Sequence, residues 1–123
     1  MANDFQAFAE DDFCYLTTTG RVSGRPHTIE IWFALEGHAL YMLAGGRSDA
    51  DWVKNLMRTP AVQLRLREQV FAGTARVVAE PAEDALAREL VVGKYTARGE
   101  GDLDEWGRTA VAVAVDMGEL VAS

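Results

Sequence analysis

The sequence holds a single cysteine, Cys14, so no internal disulfide can form, and its two histidines, His27 and His38, are too few for a zinc site built on His and Cys. Long apolar runs are missing as well. Even the run at residues 110–115 falls far short of the ~20 residues that a membrane-spanning helix requires. Near the start, Asp4, Glu10, Asp11 and Asp12 stand where a secretion signal would have basic and apolar segments. These absences together predict a cytoplasmic protein. Positive charge is also scarce: 12 Lys and Arg face 19 Asp and Glu, a net charge of −7 that argues against general nucleic-acid affinity.

What is present suits one globular unit. The chain has 123 residues, 49% of them apolar, enough for a single core, and residues 1–123 are predicted to form one domain. Charge is unevenly placed along it. Residues 20–67 carry seven basic side chains (Arg21, Arg25, Arg47, Lys54, Arg58, Arg65, Arg67) against four acidic ones (Glu30, Glu36, Asp49, Asp51), so this segment is +3 and the remainder −10. A local cationic site in an acidic protein suits a small anionic ligand better than a polyanionic duplex. Ordinary surface scatter is the competing explanation.

The periodicities predict mostly strands. Residues 1–12, with Phe5 and Phe8 three apart, read as a short helix laid on the surface or as unstructured chain. A first strand is expected at 13–19, a turn at 21–25 bracketed by Gly20 and Gly24, and a second strand at 27–33. In that second strand Thr28, Glu30 and Trp32 face one way and Ile29, Ile31 and Phe33 the other. Glu36, Gly37 and exposed His38 then form a hairpin turn into a third strand at 39–44. A helix follows, with Ser48 as its cap, Asp51 completing a capping box, and Thr59 and Pro60 as its stop. Strands at 61–66 and 70–78, a helix from Pro81 to about residue 94, and a loop at 98–104 leading past Trp106 to a last strand at 109–115 complete the chain. The expected fold is mainly β: a six-stranded antiparallel barrel with two to three short helices. A doubly wound α/β sheet is the runner-up, disfavoured because most strands are joined by turns too short for parallel crossovers.

Two stretches can carry chemistry. The turn at 20–27 projects Arg21, Arg25 and His27 from one short piece of backbone. Gly45, Gly46, Arg47 and Ser48 lead into the helix, whose free N–H groups and positive dipole end attract anions, with Lys54 in reach. GGRS lacks the spacing of a Walker loop, and a plain glycine turn before a capped helix explains it equally. Cys14, between Phe13 and Tyr15, reads as a small buried hydrophobe rather than a redox thiol.

Taken together, TTTGRVSGRPHTIEIWF at 17–33, LAGG at 43–46, DWVKNLMRTPAVQLRL at 51–66 and WGRTAVAV at 106–113 give the chain a family likeness. It resembles the flavin/deazaflavin oxidoreductases, the split-barrel superfamily that includes pyridoxamine 5′-phosphate oxidase, and within it the deazaflavin-dependent nitroreductase branch. The resemblance covers nearly the whole chain. It implies a split β-barrel binding coenzyme F420 or FMN, with the cofactor phosphate on Arg21, Arg25 and His27 and the ring system along Ile31 and Trp32, Phe33 behind them. It further implies that Ala44, Gly45, Gly46, Arg47 and Ser48 form the loop beside the cofactor and that Trp52 and Asn55 belong to the WxxNL motif. Val22 departs from the second basic residue often found after the first arginine in F420-binding relatives, and Glu30 from their proline. Of the tyrosines those relatives place before the last tryptophan, Tyr95 is the counterpart and a substrate-side candidate; no residue is assigned a catalytic role, and no metal is implied.

The function so implied is hydride transfer from reduced F420 to a small electrophile such as a quinone, an enone or a nitro compound. The same fold with FMN is one alternative. A non-catalytic protein retaining a flavin, haem or other tetrapyrrole is another, and a purely structural interaction domain is a third. Relatives of this kind commonly pair across the sheet, which implies a homodimer.

Overall fold

A computed structural model of the chain describes residues 5–46 and 49–122. Seven strands form one antiparallel sheet: β1 (Cys14–Thr19), β2 (Pro26–Ile31), β3 (Ala34–Glu36), β4 (Ala39–Ala44), β5 (Ala61–Leu66), β6 (Gln69–Val77) and β7 (Val111–Ala122). Their order across the sheet is β2-β1-β5-β6-β7-β4-β3. Three α-helices, α1 (Asp51–Arg58), α2 (Pro81–Ala97) and α3 (Asp104–Thr109), and a short 3-10 helix at Phe5–Phe8 accompany them.

The connection between β2 and β3 dictates the shape. These strands lie at opposite edges of the sheet, yet only Trp32 and Phe33 separate them. Laid flat, seven strands at ~4.8 Å spacing would put the two edges ~29 Å apart, whereas a two-residue link spans at most ~11 Å. The sheet must therefore curl until its edges meet, and it becomes a barrel split along the β2/β3 seam.

Alternation fills the inside. On β1 and β5 the inward residues Cys14, Leu16, Val62, Leu64 and Leu66 are buried, and the intervening Tyr15, Thr17, Gln63 and Arg65 face outward. Strand β4 is buried on both faces, because Leu40 and Met42 join the barrel core while Tyr41 and Leu43 lie under α2. Helix α2 contributes Ala87, Val91 and Tyr95, a stripe at four-residue spacing, to this second apolar layer. Its start is well defined: Glu80 accepts hydrogen bonds from the amides of Ala82 (3.1 Å) and Glu83 (2.8 Å), with Pro81 at the first helical position.

Three expectations are corrected. The barrel has seven strands rather than six, because the strand expected at 27–33 ends at Ile31 and the chain resumes as β3. The backbone of Phe33 leaves the ladder and bonds to α2 instead: its N–H donates to Tyr95 Oη (3.0 Å) and its carbonyl accepts from Lys94 Nζ (2.9 Å). Strand β7 runs to Ala122 instead of stopping at 115, because β6 supplies pairing partners along its length, from Val77↔Val113 to Val70↔Ala122. Helix α1 has Ala50 at its N-cap with no side-chain cap bond, so Asp51 does not complete a capping box; the expected cap, Ser48, lies outside the described residues.

Candidate functional site

The turn between β1 and β2 is built on two glycines. Gly20 donates its N–H to the Arg25 carbonyl (2.8 Å) and accepts from Gly24 (2.9 Å), and Gly24 has φ of 73°, a conformation that costs a glycine little. At Gly20 the absence of a side chain matters for a different reason: a Cβ there would lie 2.6 Å from His27 Nε2 and 2.7 Å from Ser23 Oγ, so either side chain would have to swing away. The exposed Ser23 and His27 side chains thus lie across the face of Gly20.

Helix α1 lies against this turn and is fixed to it by Asn55. Its side chain is only 4% exposed. Oδ1 accepts from the Arg21 amide (3.1 Å) and from Arg21 Nη1 (2.9 Å), while Nδ2 donates to Thr18 Oγ1 (3.3 Å), itself buried on β1. A buried amide with its polar atoms engaged in this way holds a loop in one conformation. Arg21 also reaches Asp51, with Nη2 3.1 Å from Oδ1.

Between the turn, β2 and α1 opens a cleft of about 540 Å³, lined by Gly20, Arg21, Val22, Ser23, His27, Thr28, Ile29, Asp51, Trp52 and Asn55. Its size is that of a small-molecule site. One wall is apolar, from Trp52, Ile29 and Val22; the other offers Arg21, the Ser23 hydroxyl and His27, whose Nε2 lies 3.5 Å from Ser23 Oγ. The amides of Val22 and Ser23 have no intramolecular partner among the described residues, which leaves two N–H donors at the turn tip.

The family is now decided on sequence. The model of the F420H(2)-dependent quinone reductase family matches residues 3–117. The chain belongs to that family. It is thereby an oxidoreductase whose coenzyme is F420 and whose substrate is a quinone-type small molecule. Solved structures with the same fold include the conserved hypothetical protein Rv2991 of Mycobacterium tuberculosis (19% identity, TM-score 0.75, covering 98% of this chain and 83% of that one). An F420 reductase (17%, 0.66, 98% and 98%) and the haem storage protein HutZ of Vibrio cholerae (17%, 0.69, 95% and 90%) share it too. At such identities the likeness establishes the split barrel and nothing about ligands. No helix among the described residues is long and apolar enough to cross a membrane.

Of the residues singled out from the sequence, Arg21, His27, Trp52 and Asn55 line the cleft. Arg25 is exposed on the turn and Lys54 on α1; neither lines the cleft, and neither makes an ion pair among the described residues. Ile31 packs against the barrel core. Trp32 lies on the other side of the sheet, stacked on Tyr95 with Trp106 against its edge. Ala44 is buried in the β4–β7 ladder opposite Val111, and Gly45 sits against the Trp106 indole. Gly46 lies beside Ala50. Arg47 and Ser48 are outside the described residues.

Tyr95 lies at the barrel seam and not in the cleft. It is 1% exposed, and its hydroxyl accepts from Phe33 N–H and donates to the Asp12 carbonyl at 2.7 Å, with the Phe33 carbonyl at 3.2 Å. Burial pushes it up to about 12 despite the lowering influence of the Phe33 backbone and Arg98. A phenol so placed braces the barrel seam. Cys14 is likewise inert: burial raises its thiol to about 12.

Sequence reasoning missed Gly20, Val22, Ser23, Thr28, Ile29 and Asp51 as lining residues. Ile29 was legible as an alternating inward position, and Gly20 as a turn glycine. Asp51 looked like a capping residue, and nothing in its spacing revealed that it reaches back 30 positions to Arg21.

Proposed function

We propose that the cleft between the β1–β2 turn and α1 is where this chain holds F420, and that the quinone is reduced against it. Arg21, Ser23 and His27, with the free amides of Val22 and Ser23, would hold an anionic group of the cofactor, and Trp52 and Ile29 would cover apolar ring surface. Arg25 and Lys54, cationic and without ion pairs among the described residues, would raise the local potential that draws the anion in. When bound in reduced form, F420 supplies a hydride. The chain's own contribution is positioning and shielding from water.

The observation that carries this is the pinning of Arg21 by buried Asn55, which unites a turn of donors with an aromatic helix face in one rigid cleft. The test is a titration of purified protein with F420 and, separately, with FMN. F420 affinity in the micromolar range or tighter, weakened by Asn55→Ala, is expected; FMN binding with no F420 affinity overturns the assignment, as would haem binding alone.

We further infer that 1–123 acts as one domain, and that two copies pair. Strand β2 is at the sheet edge, and Pro26, His27, Thr28 and Glu30 along it are exposed, which leaves an unpaired ladder edge of the kind proteins usually cover. Sedimentation at micromolar concentration distinguishes a dimer of this 13.5 kDa chain from a monomer. A reduced, buried Cys14 fits a cytoplasmic home.

A further inference from the structure

Arg21 has two partners of opposite character. Asn55 is buried and neutral, and it fixes both the backbone and Nη1 of the arginine. Asp51 is charged and its side chain is 85% exposed; it touches only Nη2, at 3.1 Å, apart from a weak 3.4 Å bond from Nη1 to its carbonyl. The first contact holds the guanidinium in place. The second neutralises it, on the cleft side, with a carboxylate that water can easily solvate when it leaves.

We propose that Asp51 is an affinity-setting residue of the cleft: a built-in counter-anion that competes with the ligand's anionic group for Arg21 Nη2. The proposal rests on the assignment of this cleft to the cofactor. An incoming phosphate or carboxylate must exchange for Asp51 rather than meet a free arginine, so its gain is the difference between two charge-assisted hydrogen bonds, not the whole of one. The displaced carboxylate has somewhere to go. Lys54 lies three positions along the same helix, on the neighbouring surface, and makes no ion pair among the described residues. Because Asn55 holds Nη1 independently, the arginine stays aimed into the cleft after Asp51 departs.

The same exchange would discriminate against non-specific anions. With Asp51 in place, a weakly held monoanion replaces one carboxylate by another and gains little. A ligand that also engages Trp52 and Ile29 gains enough elsewhere to complete the exchange.

The test measures equilibrium dissociation constants for F420, by fluorescence or calorimetry, in the wild type and in Asp51→Asn, Asp49→Asn, Arg21→Met and the Asp51→Asn/Arg21→Met double variant. Asp51→Asn is expected to tighten binding by about three- to fivefold, the scale of releasing one largely exposed ion pair. Asp49→Asn removes the same charge two residues away, from an exposed position with no contact to Arg21; it is expected to change affinity less than about twofold. In the Arg21→Met background the Asp51→Asn gain should vanish. Equal effects of the two asparagine variants, a gain that survives loss of Arg21, or no gain at all overturns the proposal. F420 affinity unchanged by Arg21→Met overturns the cofactor-site assignment itself, and the proposal with it; weakened binding in Arg21→Met with no gain in Asp51→Asn overturns the proposal alone.

Discussion

Trp32 lies flat on Tyr95, with ring centroids 4.2 Å apart and planes 6° from parallel. The stack sits where the chain crosses from one edge of the sheet to the other, and the Tyr95 hydroxyl ties together the backbone of Phe33 and Asp12 from beneath it. One side chain of α2 therefore holds the seam of the barrel by ring contact and by hydrogen bond at once.

Tyr95→Phe separates these two contributions. It keeps the ring and deletes the hydroxyl, leaving the buried Phe33 N–H without its acceptor. A loss of about 1–3 kcal/mol in urea unfolding is expected. Trp32→Ala should cost at least as much through lost packing. An unchanged urea midpoint for Tyr95→Phe would show that water satisfies the seam instead.

Gly20→Ala tests the inside of the turn. The added methyl would clash with His27 Nε2 and Ser23 Oγ, both on exposed side chains that can swing outward. Stability is expected to change by less than about 1 kcal/mol, while F420 affinity falls about tenfold. Wild-type affinity in this variant would place the ligand elsewhere.

Asn55→Ala removes the acceptor for two Arg21 donors and the donor to Thr18. We expect about 1–3 kcal/mol of destabilisation together with weakened cofactor binding, since the turn is no longer fixed to α1. Thr18→Val should cost measurably less in the Asn55→Ala background than in the wild type. Additive losses would mean that the two residues do not act as a unit.

Glu83 supplies an acid-sensitive contact on the outer face. Arg76 donates to both its oxygens (2.6 and 2.8 Å) and the Tyr41 hydroxyl to one of them (2.8 Å), which lowers its carboxyl from 4.5 to about 2. In the unfolded chain that carboxyl takes up its proton near 4.5, so the stabilisation is fully present above that pH and disappears as pH falls toward 2. The difference in melting temperature between the wild type and Glu83→Gln should therefore be largest near neutrality and close across this window. A difference that stays constant with pH excludes the linkage.

The strands and α1 were legible because burial imposes periods of two and 3.6 on their sequences, and because Gly20, Gly24 and Pro60 punctuate them. The break at residues 32–33 was not legible for a physical reason. Ile29, Ile31 and Phe33 still point to the core and Trp32 away from it, so side-chain alternation continues unbroken across a point where the backbone changes its hydrogen-bond partners. The cleft divides in the same way. Arg21, His27, Trp52 and Asn55 belong to motifs, but the residues that close the cleft around them, Asp51 above all, owe their place to contacts between segments that sequence spacing does not encode.

The position of β7 also governs the order in which this fold can be completed. It lies between β6 and β4, so before it is in place the sheet exists as two unconnected pieces, β2-β1-β5-β6 and β4-β3. During synthesis the β3–β4 hairpin leaves the ribosome long before β7, the other strand beside β4, does. The free ladder edge of β4 must wait for residues 111–116 to arrive. A nascent chain stalled before β7 would therefore carry the β3–β4 hairpin with an unpaired edge, the kind of exposed strand edge that invites aggregation.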